Sequence, residues 1–570
     1  MPLSLASSIT PSGETNIRSI IIRFRRAVKF GKFAVAGGNR ILYNKNIFFL
    51  GGQVIGLLQA ERRPAVELRG LSKTFGTVKA NQNINLTLYN GEILALLGEN
   101  GSGKTTLMNM LGGMYAPDSG SIHINGQSVS IHSPADAIAL GIGMIHQHFK
   151  LVDILTVAEN IVMGTKGDSR SKAQLSEHIL SISKKFGLAV DPNSKIYTLS
   201  VGEKQTVEIL KVLYRGSRIL ILDEPTAVLT PQEIEKLFVI LRKMRDEGCA
   251  IIIITHKLNE VLAISDRVIT LRKGEVVSTV DTSDADARSL TEHMVGRAVD
   301  LSIARPEPVN PKPSLAVEGL HVSATEKNKA LCDISFTLMS GEILGVAGVA
   351  GSGQKELCEA IAGLQPTSGG SIKFEGGELR GLSPREIATR GVAMSFVPED
   401  RLGMGLVGSM GMVDNMLLKK YQDQHAPLLD RKPAKNLSTE LIERLSIMTP
   451  DVYTPVKRLS GGNVQKVLLG REIASNPKLL ITAYPVRGLD INSSMTIYHL
   501  LNEQKARGVG VLFIGEDLDV LLELCDRIMV MCGGIVTGLV DAKTVTKEQL
   551  GLMMTGCRLE GGDAKCAIPR

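Results

Sequence analysis

The sequence predicts an α/β protein in which two tandem copies of one parallel-sheet domain are joined in a single chain. Three observations support this prediction. Apolar strand-like runs alternate with helix-like stretches, as in a parallel sheet covered by helices. A glycine-rich loop follows the apolar run from Ile93 to Leu97 and leads into a helix-like segment. Finally, short patterns of the first half return in the second half: Gly91-Glu92-Ile93-Leu94 reappears as Gly341-Glu342-Ile343-Leu344, 250 positions later.

Domain limits follow from this repeat and from composition. The later repeated segments are offset by 260 positions, and we place the roughly ten extra residues of the second copy near Gly403 to Gly411. A proline-rich stretch, with four prolines between Pro306 and Pro313, predicts an extended linker. We therefore expect a first copy at 64–303, a linker at 304–313, a second copy at 314–557 and a tail at 558–570.

Residues 1–60 differ in composition from the rest of the chain. They hold eight of the basic residues against a single acidic one, which accounts for the net charge of +7. We expect these residues to form a basic extension that can be disordered and that the fold does not require. The alternative is a targeting segment or a surface-binding arm. Its longest uncharged apolar run, Ile47 to Leu58, is shorter than the roughly 20 residues of a membrane-spanning helix.

Composition also excludes some classes of protein. Outside residues 1–60 the basic and acidic residues are equal in number, so the body of the chain has no nucleic-acid footprint. Aromatic residues make up 4% and tryptophan is absent, which argues against stacking platforms for single-stranded nucleic acid. The seven cysteines are scattered, without a C-x-x-C pair, which fits a reducing compartment and gives no metal framework.

The first glycine-rich loop has the pattern of a phosphate-binding loop. It consists of Gly98, Glu99, Asn100, Gly101, Ser102, Gly103, Lys104 and Thr105, with Thr106 next. Such strand-to-helix turns point backbone N–H groups inward, where they hold a phosphate at the positive end of a helix. Lys104 would contact the β- and γ-phosphate oxygens, and the Thr105 hydroxyl would bind Mg²⁺. The alternative is a chance match, expected in about one chain in a hundred.

Two further apolar runs of the first copy end in polar residues suited to phosphate-ester hydrolysis. The first ends in Asp223 and Glu224, where Asp223 would hold Mg²⁺ through water and Glu224 would polarise the attacking water. The second ends at His256, within reach of a γ-phosphate. A strand ending in Asp-Glu is usually ordinary, and a lone histidine is usually only a polar strand end.

Three other segments fit the same site. The Gln147 amide oxygen can bind Mg²⁺ and sense the nucleotide, and Phe75 can stack on an adenine, although a phenylalanine there is more often core. The segment from Leu199 to Glu203 opens a helix, with Ser200 as a natural N-terminal cap. Helix capping alone would explain Ser200, so only the order of the motifs along the chain can distinguish a simple cap from part of a nucleotide site.

That order (phosphate loop, Gln147, Leu199–Glu203, Asp223–Glu224, His256) resembles the ATP-binding cassette (ABC) ATPases, and the match spans nearly all of residues 65–556. The chain looks like an importer ATPase with two fused cassettes. The resemblance implies that each copy has a P-loop parallel-sheet core, an antiparallel β subdomain and a helical subdomain. It also implies ATP and Mg²⁺ as ligands and head-to-tail pairing, with each ATP held between one phosphate loop and the other copy's signature helix.

The second copy lacks the reactive groups but keeps a complete signature. Gln354 stands in place of Lys104, Lys355 in place of Thr105, Ala483 and Tyr484 in place of Asp223 and Glu224, and Glu516 in place of His256. By contrast Ser460, Gly461 and Gly462 are intact, whereas the first signature has Val201 for a glycine. The resemblance implies one competent site, completed across the interface by these three residues. We expect the other site to bind ATP weakly and to hydrolyse it poorly.

Fused pairs with one degraded site resemble the ATPases of nucleoside and simple-sugar importers. The sequences of several stretches, among them Ile145 to Phe149, are more similar to those of the nucleoside importers. A ribose- or galactose-type sugar is the alternative. The resemblance implies two integral-membrane permease subunits, an extracytoplasmic substrate-binding protein and a peripheral position on the cytoplasmic face of the membrane. A rival from another class, a two-cassette protein acting on ribosomes or DNA, would be expected to show two intact sites and a basic surface.

Overall fold

The computed structural model describes the backbone of a short N-terminal segment and most of the chain from residue 63 onward. The described residues are 42–44, 47–50, 53–57, 63–146, 149–165, 170–227, 229–297, 302–308, 310–324, 330–349, 351–389, 394–398, 400–419, 421, 428–560 and 563–566. The chain divides into two compact units, Met1–Arg63 and Pro64–Arg570.

The first unit contains a small antiparallel sheet. Its strands are β1 (Leu42–Asn44), β2 (Ile47–Leu50) and β3 (Gln53–Leu57), paired in that order. Most of the predicted basic extension, residues 1–41, lies outside the described residues. The apolar run from Ile47 to Leu58, which is too short for a membrane-spanning helix, contains the strands β2 and β3.

In the second unit the first copy has a six-stranded sheet and a four-stranded sheet. Its strands are β4 (Pro64–Phe75), β5 (Val78–Tyr89), β6 (Ile93–Leu97), β7 (Ser119–Ile124), β8 (Gln127–Val129), β9 (Ile142–Ile145), β10 (Ile219–Asp223), β11 (Ala250–Ile254), β12 (Arg267–Arg272) and β13 (Glu275–Asp281). The larger sheet has the order β13-β12-β6-β11-β10-β9, and only β13 is antiparallel to its neighbour. Strands β6 and β11 are buried throughout, which explains their continuous apolar sequences.

The four-stranded sheet is antiparallel, in the order β5-β4-β7-β8. Its two long strands extend well beyond the short apolar runs visible in the sequence at 66–68 and 84–88. Four register shifts between β4 and β5 let the pairing continue through polar residues such as Lys73 and Asn81. This sheet is the antiparallel β subdomain predicted above.

Most helices of the first copy begin at a side-chain cap. They are α1 (Lys104–Leu111), α2 (Pro134–Ala139), α3 (Val157–Val162), α4 (Lys172–Phe186), α5 (Val201–Tyr214), α6 (Pro231–Asp246), α7 (Leu258–Ile264) and α8 (Ala287–Val295). Ser133, Thr156, Ser171, Ser200 and Thr230 each close a capping box, in which side chain and backbone satisfy each other's orphan groups. Helix α3 packs against α4 and α5 and forms the helical subdomain.

The second copy repeats this architecture. Its strands are β14 (Pro313–Val322), β15 (Leu331–Met339), β16 (Ile343–Ala347), β17 (Gly369–Phe374), β18 (Gly377–Glu378), β19 (Met394–Val397), β20 (Leu479–Ala483), β21 (Gly510–Ile514), β22 (Arg527–Cys532) and β23 (Ile535–Asp541). Its helices are α9 (Gln354–Ile361), α10 (Pro384–Thr389), α11 (Met412–Leu417), α12 (Lys432–Leu445), α13 (Gly461–Ile473), α14 (Ile491–Ala506), α15 (Leu518–Leu524) and α16 (Lys547–Met554). The sheet orders, β19-β20-β21-β16-β22-β23 and β15-β14-β17-β18, match those of the first copy.

The extra residues of the second copy are inserted at three places. Equivalent elements start 250 positions apart at α2 and α10, 252 apart at β9 and β19, 255 apart at α3 and α11, and 260 apart at α4 and α12. The sequence placed the whole insertion near Gly403 to Gly411. Only part of it falls there, where a π-helical turn, Arg401–Gly405, precedes α11. The shift of two at β19 aligns Glu399 with Gln147, although neither residue is among those described.

The described part of the linker packs against the second copy. Arg305 donates hydrogen bonds from Nη1 to the carbonyl oxygens of Leu522 (3.0 Å) and Cys525 (2.9 Å). The Asn502 amide donates to the carbonyl oxygen of Ala304. Glu307 forms an ion pair with Lys543. A proline-rich segment that the sequence predicts only as extended is thus fixed to one copy by side-chain contacts.

The end of the chain forms a hairpin, β24 (Cys557–Glu560) with β25 (Asp563–Cys566). Cys557 is disulfide-bonded, which differs from the expectation that scattered cysteines fit a reducing compartment. Five other cysteines are free thiols, and three of them, at positions 249, 358 and 525, are buried. Within the described residues, no helix has the length and apolar character required to span a membrane.

We expect a chain that begins at Pro64 to fold and to keep the ATPase activity that the motif order predicts. The reason is that residues 1–63 form a separate unit, and both repeated copies lie in the other. The check is the ATPase rate and melting temperature of the shortened chain beside the full one, with the rates agreeing within about twofold. Loss of activity on truncation would show that the extension has a role in the fold.

Candidate nucleotide site

The first phosphate loop, Gly98–Thr105, joins the central strand β6 to helix α1. Gly98 (φ 153°) and Gly103 (φ 104°) have backbone conformations that other residues rarely adopt. A Cβ atom at Gly98 would overlap the carbonyl oxygen of Leu271, and one at Gly103 would overlap that of Ala80. Both glycines are therefore required by close backbone packing, and the loop is held by neighbouring strands.

The amino end of α1 is suited to bind an anion. Its N-cap, Gly103, offers no side-chain acceptor, unlike the N-caps of α2 to α6 and α8. The first N–H groups of a helix have no intrahelical acceptor, and they carry the positive end of the helix dipole. The hydroxyl of Ser102 is buried and has no hydrogen-bond partner within the described part of the chain. These free donors fit a phosphate group.

Lys104 places a cation inside this loop. Its side chain is only 7% exposed, and Nζ donates to the carbonyl oxygens of Gly98 (2.7 Å) and Glu99 (2.9 Å). Burial lowers the pKa of the Lys104 ammonium, whereas the charges of Glu224, Asp223 and Glu99 oppose this effect. The ammonium thus lies in the field of both carboxylates that follow β10, as the sequence predicts for one site.

Asp223 and Glu224 stand at the carboxyl end of β10, beside the phosphate loop. Burial raises the pKa of Asp223, and the neighbouring Glu224 raises it further, whereas Lys104 lowers it. Glu224 has a positive φ of 47°, and its N–H donates to the carbonyl oxygen of Ile254 at 2.9 Å. A glutamate in this conformation is strained, and such strain is concentrated at functional sites.

Glu224 and His256 form a pair. Nδ1 of His256 lies 3.0 Å from Oε1 of Glu224. This hydrogen bond is the main reason that the pKa of Glu224 is lowered, and Lys104 contributes to the same effect while burial opposes it. The carboxylate is therefore ionised near neutral pH, the form that a general base needs.

Replacing His256 by alanine should move the acid limb of the ATPase pH profile to higher pH. Without the hydrogen bond that lowers it, the pKa of Glu224 rises, so less of the ionised base is present at a given acidic pH. The measurement is kcat/KM for ATP from pH 4 to 9 for both proteins, because the lowered pKa of Glu224 places the acid limb of the parent at the acidic end of this range. An unchanged acid limb would mean that Glu224 ionisation does not limit the reaction.

The residues present fit a magnesium ion bound together with a nucleotide. The Thr105 hydroxyl opens helix α1, and Asp223 supplies a carboxylate at the adjacent strand end. Mg²⁺ prefers oxygen ligands and is commonly bound through one or two protein groups plus phosphate oxygens and water. Gln147, the third predicted ligand, lies outside the described residues.

Phe75, the predicted adenine-stacking residue, is the last residue of β4. Its ring is 43% exposed and meets the ring of Tyr115 edge to face at 5.2 Å. The ammonium of Lys73 lies 5.6 Å from its centroid. The ring is therefore available to a planar ligand, and its role stays a prediction.

A segment of the second copy contacts the first phosphate loop. We call Arg487–Ile491, which connects β20 to α14, the interface loop. Asn100 donates from Nδ2 to the Leu489 carbonyl oxygen (3.3 Å). Glu99 accepts from the N–H of Ile491, and burial and the nearby Asp490 raise its pKa. The Ile491 side chain packs against the core of the first copy.

Other contacts join the two copies around this point. They are Gln232 to the Glu548 carbonyl oxygen (3.0 Å), Asn259 to Asp519 (3.2 Å) and Arg297 to Asn492 (3.1 Å). The sequence missed the interface loop as a site element. Its contacts depend on how the two folded copies pack together, and the sequence of one copy carries no signal for that packing.

The signature residues Ser460, Gly461 and Gly462 lie behind the interface loop. Ser460 caps helix α13, and a methyl group at Gly462 would lie 2.6 Å from Oγ of Ser493 and 3.4 Å from Oδ2 of Asp490. Among the described residues, no hydrogen bond joins these three directly to the first phosphate loop. They are connected to it through Asp490 and its neighbours.

The second phosphate loop, Gly348–Lys355, repeats part of the backbone of the first without its chemistry: φ is 83° at Gly351 and 101° at Gly353, close to the values at Gly101 and Gly103. Gln354 is 2% exposed, and its Nε2 has no hydrogen-bond partner in the region the structure describes. Tyr484 repeats the backbone of Glu224, with a φ of 50° and an N–H donated to the Ile514 carbonyl oxygen (3.0 Å). A cavity of about 170 Å³ lies beside it and is lined by Lys355, Glu359 and Asp400.

The fold, the phosphate loop and the paired carboxylates define a P-loop nucleotide hydrolase with two copies of the domain. The ABC transporter family model matches residues 81–227 and 331–485. The chain belongs to this family and is an ABC-type ATPase with two tandem cassettes, as the motif order predicted.

Full-length relatives identify the type of ABC protein that this chain is similar to. It is 42% identical to the nucleoside import ATP-binding protein NupA of Lactococcus lactis, over 86% of this chain and 98% of NupA. It is also 42% identical to the guanosine import ATP-binding protein NupO of Bacillus subtilis, over 86% and 97%. The ribose import ATP-binding protein RbsA 1 of Rubrobacter xylanophilus is 38% identical over 87% and 99%.

Solved structures similar to this chain include cassette proteins of ABC transporters. One is an ATP-binding cassette of an ABC transporter in its ADP conformation, MJ1267, which is 23% identical, covers 41% of this chain and 99% of its own, and has a TM-score of 0.37. Another is cbiO1 from Clostridium perfringens, 27% identical, covering 41% and 95%, with a TM-score of 0.37.

Proposed function

We propose that this chain is the ATP-hydrolysing motor subunit of a nucleoside importer. The observation that carries the proposal is the grouping of Lys104, Asp223, Glu224 and His256 around one phosphate loop. No equivalent grouping exists in the second copy, where Gln354, Ala483 and Tyr484 take the corresponding places. ATP hydrolysis at the first phosphate loop therefore supplies the free energy for the proposed transport.

In the proposed reaction, Glu224 is the general base. Its ionised carboxylate takes a proton from the attacking water, and His256 holds it in position through the hydrogen bond at Nδ1. Lys104 leaves its two carbonyl acceptors and neutralises charge on the β- and γ-phosphate oxygens. Thr105, Asp223 and Gln147 would hold Mg²⁺, which would neutralise charge on the phosphate oxygens.

The second copy completes the site from across the interface. The proposed contacts are the backbone of the first loop from Gly98 to Thr106 on one side and Ser460, Gly461 and Gly462 on the other. Support comes from the interface loop, which touches Asn100 and, through Asp490, lies against Gly462. Binding of ATP would close the two copies head to tail, and hydrolysis would release them.

The proposed cargo is a nucleoside. The support is the 42% identity with two import ATP-binding proteins named for a nucleoside and for guanosine, over 97% or more of their length. A simple sugar is the second candidate, favoured by a glucose import ATP-binding protein of Haloferax volcanii at 40% identity and by the ribose relative at 38%. The cargo would be selected by other subunits, since no residue of the site described above is placed to touch it.

The proposed partners are two membrane permease subunits and an extracytoplasmic substrate-binding protein, with this chain bound peripherally to the cytoplasmic face of the membrane. The domain limits 64–303, 304–313 and 314–557, with a tail at 558–570, are part of the same proposal. No nucleic-acid partner is proposed, since charge outside residues 1–60 is balanced.

The test is uptake in cells that lack this protein. We expect loss of labelled guanosine or adenosine uptake, with labelled ribose and galactose uptake unchanged, and recovery when the gene is returned but not when its Glu224→Gln variant is returned. Loss of ribose or galactose uptake with nucleoside uptake unchanged would favour the sugar alternative. Co-purification with ribosomes in place of a membrane permease would contradict the transport role altogether.

A further inference from the structure

The second site has lost its hydrolytic groups, and a different cluster occupies their positions. Tyr484 replaces the base, and Glu516 replaces the histidine. Arg487 lies between them: its Nε forms an ion pair with Oε1 of Glu516 (3.1 Å), and its guanidinium lies 5.8 Å from the centre of the Tyr484 ring. The equivalent of Arg487 in the first copy is Ala227, so that copy has no counterpart of this cluster.

The same arginine begins the interface loop. Its N–H donates to the Tyr484 carbonyl oxygen (3.2 Å), and its own carbonyl oxygen accepts from Nη2 of Arg401. Two positions later, the Leu489 carbonyl oxygen accepts from Asn100 of the first phosphate loop. The degraded site is thus connected to the competent phosphate loop by three consecutive residues of one short turn.

We propose that Arg487 and Glu516 are positioning residues for ATP hydrolysis at the first site. Their ion pair and the stacking on Tyr484 fix the start of the interface loop, so that Leu489 to Ile491 present fixed backbone groups to Asn100 and Glu99. A displacement of about 1 Å in residues that position a site can lower the reaction rate by a large factor, even when those residues do not contact the reacting atoms. According to this proposal, the second site has lost ATP hydrolysis and instead positions residues of the first site.

Charge and exposure favour a positioning role over a purely stabilising one. The Arg487 and Glu516 side chains are 43% and 39% exposed, and ion pairs this open contribute little to folding stability. Arg444 and Glu503, also in the second copy, form an ion pair of similar exposure (37% and 48%) at 2.6 Å. That pair joins α12 to α14, away from the interface loop, and provides a matched control.

The experiment measures steady-state ATP hydrolysis by the full chain. We expect Glu516→Gln to lower kcat about fivefold and Arg487→Ala about tenfold, with KM for ATP within about twofold of the parent value. Glu503→Gln should leave both parameters within about twofold, since it breaks an exposed pair elsewhere. The exchanged pair, Arg487→Glu with Glu516→Arg, should recover part of the loss.

A double-mutant cycle with Asn100→Ala identifies the route. If Arg487 acts through the Leu489 carbonyl oxygen, the two losses should not multiply, and the double variant should be little slower than the slower single variant. Multiplying losses, an unchanged kcat in Glu516→Gln, or an equal loss in Glu503→Gln would each overturn the inference. It rests on the proposed role of the first phosphate loop, which Lys104→Ala tests separately, so a normal Glu516→Gln rate would leave that role standing.

Discussion

Replacing Glu224 by glutamine should abolish ATP turnover while leaving ATP binding intact. Glutamine keeps the size and one hydrogen-bond acceptor for His256 but cannot take a proton from water. Loss of a general base typically costs a factor of about 10² to 10⁴ in kcat. The measurement is steady-state ATPase activity together with equilibrium binding of a labelled ATP, and the variant should accumulate with nucleotide bound and the copies closed.

Glu247→Gln is the matched control. Glu247 follows helix α6 in the first copy, is exposed, and pairs with Lys185 at 3.1 Å on the surface. The control should hydrolyse ATP at the parent rate. Turnover within about tenfold of the parent in Glu224→Gln would show that another group acts as the base.

Lys104→Ala and Gln354→Ala should differ strongly, although the two residues occupy equivalent positions. Removing the buried ammonium deletes the cation beside Asp223 and Glu224, and a loss of about 100-fold or more in kcat/KM is expected. Removing the Gln354 amide deletes a neutral group at a site that has Ala483 and Tyr484 in place of Asp223 and Glu224, and a change of less than about threefold is expected. The comparison uses kcat/KM for ATP under identical conditions.

This pair of variants is its own control, because each truncates a buried side chain at the start of the equivalent helix. Equal losses would mean that both sites turn over, contrary to the proposal of a single competent site. Melting temperatures of the two variants would separate a catalytic loss from unfolding.

Much of the fold follows from the sequence. Continuous apolar runs such as Ile251 to Ile254 are typical of strands buried on both faces, and the repeat predicts that the second sheet has the order of the first. The antiparallel strands were harder to delimit, because β4 and β5 continue through polar residues by shifting register. The three places of insertion in the second copy were also hidden, since an offset shows that residues were added but not where.

The candidate site was predictable where its residues lie on one copy. Lys104, Asp223 and His256 follow neighbouring strands of one parallel sheet, and the carboxyl ends of such strands meet at one edge. The interface loop and the pair formed by Arg487 and Glu516 were not found, because their contacts depend on how two folded copies pack together. Leu489 contributes only a backbone carbonyl, which leaves no trace in the sequence.

The linker anchored by Arg305 and Glu307 has a consequence for how the protein behaves on dilution. A tether that is pinned to the second copy keeps the two halves at a high effective concentration, of millimolar order for short linkers. Assembly of the proposed composite site is then an intramolecular event, and specific ATPase activity should not depend on protein concentration. Joining the copies in one polypeptide also fixes their ratio at one to one, so each chain supplies both halves of the proposed composite site.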